Sequence, residues 1–178
     1  MVSLLVLAFA GLTAGAVSPI PGVPPPPDGT YEVEMTKAAT DRAMAELKTG
    51  LVQLEKDTTI PAETKREIKA KIVRLKIAVF TTTKPFDETV LFYTAQIRDA
   101  SFIIGDRDVL GDARELAAAI GVHLDPDVEQ TWVGKRGRSA RWSRQDRSLE
   151  IDVEDTLIDP RDAKISKKTV VLVTYLGG

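Results

Sequence analysis

Apolar side chains recur at spacings of three and four across residues 36–56, where Met44, Leu47, Leu51 and Leu54 form one stripe with Ala39 and Ala43 beside it. That period predicts an amphipathic helix with Lys37, Asp41, Glu46, Lys48, Glu55 and Lys56 mostly in solvent. Gly50 interrupts its propensity but not its stripe, so it reads as a close-packing point or a local bend. Pro61 suits the first turn of a second helix, which carries Ile68, Ile72 and Leu75 on one face to about residue 75. The short connection predicts an antiparallel helical hairpin over residues 29–75.

The run Ile77, Ala78, Val79, Phe80, Thr81, Thr82 favours a strand, and Pro85 then opens a helix whose buried stripe is Phe86, Val90, Tyr93 and Ile97. Phe102, Ile103 and Ile104 make a second short strand. Asp108 is placed to cap a further helix with the stripe Val109, Ala113, Leu116 and Ile120, stopped by Gly121. After His123 the period becomes alternating, and residues 128–133, 138–144, 148–153 and 168–175 read as four strands. A tight turn at Asp146 and Arg147 sets a register in which Trp142 faces Ile151, Arg141 faces Asp152 and Ser139 faces Glu154. Glu150, Asp152 and Glu154 then point outward on a wet face, while the last strand, apolar on both parities, is central or covered.

These elements predict an α+β fold: a mostly antiparallel sheet of about 4–6 strands, with helices packed on one face and the helical hairpin in front. Residues 76–178 form the α+β domain. The segment Phe80-Thr81-Thr82-Thr83-Lys84-Pro85-Phe86-Asp87-Glu88-Thr89-Val90-Leu91-Phe92-Tyr93, the later Trp142 and the closing Ile165-Ser166-Lys167-Lys168-Thr169-Val170-Val171 resemble a group of small exported bacterial proteins of unknown function. Those proteins carry a "TT-x-PF-x-x-V-x-x-FY" helix start before an antiparallel sheet. The resemblance covers roughly residues 76–176 and implies a fold without an activity.

Upstream of the first charged residue, Asp28, the apolar run of residues 4–12 and the small residues that follow read as a signal peptide, residues 1–18, with an uncleaved membrane anchor as the alternative. The strongly apolar part is about 9 residues, against the roughly 20 needed to span a bilayer. An exported chain is periplasmic or secreted. Residues 19–28, rich in proline, read as an extended linker.

The 178 residues carry 24 Lys and Arg against 26 Asp and Glu, which gives no net attraction to polyanions and disfavours nucleic acid. Without cysteine there are no thiolate nucleophiles, disulfides or cysteine-held metals. The lone His123 admits no His-His metal site. Six basic residues between Lys135 and Arg147, interleaved with tryptophan, point to an anionic surface, with Lys135, Arg136, Arg138 and Trp132 as the binding candidates. Asp106, Asp108, Asp125 and Asp127 are the alternative, as metal ligands or as the carboxylates of an extracytoplasmic enzyme. The function expected is therefore an exported, non-catalytic binding or structural module of the cell envelope. It needs no cofactor; its partner is an envelope component or protein, or a second copy through the hairpin.

Overall fold

The computed structural model describes residues 18–177, and the expected signal or anchor in residues 1–17 lies outside them. The elements are β1 (Gly29–Tyr31), α1 (Val33–Lys56), α2 (Ala62–Val73), β2 (Lys76–Thr82), α3 (Phe86–Gln96), β3 (Ala100–Arg107), α4 (Val109–Ile120), α5 (Pro126–Trp132), β4 (Gly137–Arg144), β5 (Leu149–Glu154), β6 (Leu157–Ile158), β7 (Ile165–Ser166) and β8 (Thr169–Tyr175). Six of the strands make one antiparallel sheet in the order β1-β2-β8-β5-β4-β3, and β6 and β7 form a separate ribbon. The fold is α+β, with a helix pair preceding most of the sheet.

The hairpin register follows the sequence reading: Trp142 lies opposite Ile151, Arg141 opposite Asp152 and Ser139 opposite Glu154. Its turn takes Arg147 to φ 56°, and the Asp146 carboxylate accepts from the Ser148 amide at 2.9 Å. Strand β8 is apolar on both parities because it sits between β2 and β5 with side chains covered on each side. Val171 and Val173 join Phe80, Ile151 and Val153 beneath Phe86 and Tyr93 of α3. Val170 and Leu172, on the opposite face, meet Val79 and Met35 of α1. The helices are thus divided between the two faces of the sheet, because α1 leaves β1 on the side away from α3.

Residues 19–28 are not a spacer. Ile20 and Val23 are buried in the same cluster as Phe80, Tyr93 and Trp142. The Tyr93 hydroxyl donates to the Pro24 carbonyl at 3.0 Å, and the Thr82 hydroxyl donates to the Pro27 carbonyl at 2.6 Å. Proline removes donors but keeps carbonyls, so an extended proline segment can still be tied down by hydroxyl groups that reach across to it.

The strand expected over residues 128–133 is the helix α5 instead. Asp125 caps it, accepting from the Asp127 amide, and Pro126 occupies the first turn. The helical spacing brings Val128 and Trp132 together against Val109 and Leu110 of α4, which outweighs the local alternation of the sequence. Helix α4 itself follows the reading, with the Asp108 side chain accepting from the Gly111 amide and Gly121 ending it at φ 72°. Replacing Asp108 by Ala is expected to cost about 1 kcal/mol in chemical denaturation, the usual value of an N-cap. Gly137 is needed for another reason: a Cβ there would stand 2.6 Å from Val109 Cγ2, so β4 can begin against α4 only without a side chain.

The hairpin packs less completely than its stripes imply. Met44, Leu47, Leu51 and Leu54 are only half-buried, and α2 has no buried residue. Gly50 is not a close-packing point, since a Cβ there would find nothing within 4 Å.

Candidate functional site

The partial packing of α1 leaves a cleft. Helix α1 supplies Ala39, Ala43 and Leu47, the sheet supplies Ile77, Val79, Val170 and Leu172, and α4 with the β6 region supplies Leu116, Leu157 and Ile158. The space between them is about 810 Å³. That is large enough for a drug-sized molecule and mainly apolar, the usual character of a small-molecule site. The sequence produces it by giving α1 and α4 apolar faces on one side of the sheet while placing small residues, Ala39, Ala43 and Gly50, on the wall where α1 passes over β2 and β8. One ion pair bridges the helical walls: Arg42 Nη2 of α1 lies 3.8 Å from Glu115 Oε1 of α4.

Charged groups gather at the α4 end of the cleft. Arg107, at the end of β3, pairs with Asp112 at 2.6 Å and with Glu154 of β5, and also donates to the Thr156 carbonyl at 3.3 Å. Burial pushes the Glu154 carboxyl up to about 7; Asp152 and Asp112 add to the rise, and Arg107 opposes it without offsetting it. Asp152, two residues back on the same face, is also raised by burial while Arg141 holds it by a 2.6 Å hydrogen bond. A polar groove of about 570 Å³ continues from here along β3, β4 and β5, lined by Gly105, Asp106, Asp108, Ser139, Arg141 and Asp152 among others. Arg107, Asp112 and Glu154 line both spaces.

Asp152 is 6% exposed, so the face expected to be wet is covered at this strand. Arg141 from β4 lies across it, and Arg107 reaches over from β3 to the neighbouring Glu154. The alternation of β5 correctly separated Ile151 from Asp152, but alternation distinguishes faces and not whether the polar one is covered.

The binding candidates do not converge on one surface. Trp132 is buried at 7% exposure beside Val109 and Leu110, with the ammonium groups of Lys167 and Lys135 at 4.9 and 5.9 Å from its ring centre. Arg138 is occupied within the fold: it pairs with Asp87 at 2.9 Å and Asp155 at 3.5 Å and stacks 4.5 Å from the Phe86 ring. Lys135 and Arg136 lie exposed in the loop of residues 133–136, and Arg136 has no ion pair among the described residues. Arg138, a binding candidate on the sequence, is thus taken up by Asp87, which α3 brings from far along the chain.

The acidic candidates separate as well. Asp106 stands opposite Arg138 across β3 and β4, and Asp108 caps α4; both border the polar groove. Asp125 and Asp127 lie at the start of α5, where the Asp125 carboxylate accepts from the Asp127 amide, and neither reaches that groove. Among the described residues no three His, Cys, Asp or Glu side chains are grouped to hold a metal ion, and His123 is exposed. The residues that do converge, Arg107, Asp112, Asp152 and Glu154, come from β3, α4 and β5. The i, i+2 repeat of Glu150, Asp152 and Glu154 was their one signal in the sequence.

No helix among the described residues is long and apolar enough to cross a membrane. No family model matches the chain, and neither a curated protein nor a solved structure matches it.

Proposed function

We propose that this chain is a non-catalytic binding module of the cell envelope whose ligand is a cationic amphiphile, a molecule with an apolar body and a positively charged head, held in the cleft between α1 and α4. The observation that carries this reading is the cleft itself, about 810 Å³ of mainly apolar space open between two helices on a sheet. Its charge selects the head group: three carboxylates, Glu46, Asp112 and Glu115, joined by Glu154 as it ionises near pH 7, line it against two guanidiniums, Arg42 and Arg107. The apolar body gains from leaving water along Ala43, Leu47, Val79 and Leu172, at about 25 cal/mol per Å² of apolar surface covered. The envelope part of this reading rests on the export signal expected in residues 1–18. Two exposed cations at residues 135 and 136 offer an anionic partner a weaker hold than the cleft offers its ligand, since surface ion pairs contribute only about 0–1 kcal/mol each.

The test is isothermal calorimetry with dodecyltrimethylammonium, dodecyl sulfate and a neutral dodecyl glycoside, each below its micelle concentration. The cationic chain is expected to bind at least about tenfold more tightly than the anionic one, a difference of about 1.4 kcal/mol. Ala43→Trp, which fills the cleft from the α1 wall, is expected to abolish that binding without lowering the melting temperature. Equal affinity for all three amphiphiles, or binding that survives Ala43→Trp, would remove the proposal.

A further inference from the structure

The two edges of the main sheet are unlike. Strand β1 is 3 residues long, whereas β3 runs for 8 residues and pairs only with β4. Every second residue of β3 therefore turns its main-chain N–H and C=O away from the sheet. Folded monomers usually protect such an edge with lysine, proline, a bulge or a covering segment. Between Ala100 and Asp106 this edge has no lysine or proline, and its pairing with β4 runs without a bulge. Instead it presents Phe102 at 44%, Ile103 at 67% and Ile104 at 56% exposure. Phe102 and Ile104 share the face of Trp142, and Ile103 points to the other, where it is the one apolar residue of β3 and borders the polar groove.

We infer that β3 is a homodimer edge: two copies join β3 to β3 antiparallel, extending the sheet across a twofold axis at Ile103. A twofold axis perpendicular to the sheet brings residues of the same face opposite one another, which leaves few registers to compare. With Ile103 on the axis, Phe102 lies opposite Ile104, Ser101 opposite Gly105, Ala100 opposite Asp106, and Asp99 opposite Arg107. Phe102 then meets Ile104 twice on one face and Ile103 meets its own copy on the other, while Asp99 and Arg107 stay engaged within each copy, by Arg144 and by Asp112 and Glu154. Moving the axis to Ile104 sets Phe102 against Asp106, and moving it to Phe102 sets Ile104 against Ala100 and Ile103 against Ser101. The Ile103 register is the one in which the edge complements itself, which is why the partner is a second copy rather than an unrelated strand. This interface lies apart from the helical hairpin and meets the cleft only at Arg107.

The experiment is light scattering of the full chain across the micromolar range, beside Ile103→Lys, Ile104→Glu and Ile103→Cys. The wild type is expected to show twice the mass of one chain, and Ile103→Lys and Ile104→Glu half that mass. Both changed side chains are exposed, so circular dichroism and melting temperature should match the wild type, and either variant serves if the other misfolds. Ile103→Cys, the one thiol in an otherwise cysteine-free chain, is expected to form an intermolecular disulfide under mild oxidation. Directly opposed residues of antiparallel strands have Cα atoms about 4.5–5.5 Å apart, within the reach of a disulfide. A wild-type monomer overturns the inference, as does a dimer that survives both charge variants, which would place association at the hairpin or elsewhere. A charge-sensitive dimer whose Ile103→Cys form does not cross-link overturns the register.

Discussion

Replacing Ile20 by alanine is expected to lower the unfolding free energy by about 2–5 kcal/mol, the cost of emptying a fully buried aliphatic site. Ile20 is 1% exposed and Val23 4%, and both belong to the main core together with Phe80, Tyr93, Trp142 and Ile151. The loss would propagate, because the segment is held at both ends: Tyr93 donates to Pro24 and Thr82 donates to Pro27. Freeing the segment would also break the hydrogen bond from the Tyr93 hydroxyl to Pro24, which contributes about 0.5–1.5 kcal/mol net. Urea denaturation of the wild type, Ile20→Ala and Val23→Ala measures this directly. A surface substitution in a spacer stays within about 0.5 kcal/mol of the wild type, so a shift that small would mean that residues 19–27 do not pack on the sheet.

The second large effect is a loss of stability with rising pH, set by Glu154. Its side chain is 24% exposed, and burial raises its folded-state pKa from an ordinary 4.5 to about 7. Below the lower value the group is protonated whether the chain is folded or not. Between the two values the folded state holds a proton that the unfolded state has released, so stability falls as pH rises through this window. Above it the full penalty is about 3 kcal/mol. Asp152, also raised by burial, acts in the same direction, whereas Asp155 and Asp159, held low in the fold, lose their contribution only as pH falls below the carboxylate range. The groups facing Glu154 are Arg107, Asp112, Asp152 and Arg141, and Arg107 keeps Asp112 as a partner when Glu154 is neutral. Denaturant unfolding at pH 5 and pH 8 should therefore show the wild type weaker at pH 8, and Glu154→Gln should remove most of the difference. A wild type equally stable at both values would mean that Arg107 keeps Glu154 ionised at ordinary carboxylate pKa. If dodecyltrimethylammonium binds in the cleft, it should also bind more tightly at pH 8 than at pH 5, since ionised Glu154 attracts the positive head.

Much of the architecture was legible because it rests on local rules. The stripe of α3 starting at Phe86, the Asp108 cap and Gly121 stop of α4, and the turn at Asp146 and Arg147 are decided by side chains within a few residues of each other. The register of β4 on β5 follows from that turn, and the central place of β8 from apolar residues on both parities. The helix α5 was not legible, because Val128-Glu-Gln-Thr-Trp-Val suits either period and the choice is made by Val109 and Leu110 from α4. The same reason hid the site. Arg107, Asp112 and Glu154 are separated by up to 47 positions and meet only when β3 and β5 flank β4. Arg138 reads as a binding candidate in the sequence because its partner Asp87 lies 51 positions earlier.

The sequence by itself determined which segments are helices or strands wherever a cap, a turn or a sustained period marked them, and it divided the side chains of each strand between two faces. It also excluded thiol chemistry and any attraction of the whole chain to polyanions. Only the tertiary structure decided what covers each face: that residues 19–27 close one side of the sheet, that α1 and α4 stand apart on the other and leave a cleft, and that β3 ends the sheet with its apolar edge open. The reason is physical. A hydrophobic period shows that a surface must leave water, but not which part of the chain will cover it, and that choice depends on contacts between residues far apart in sequence.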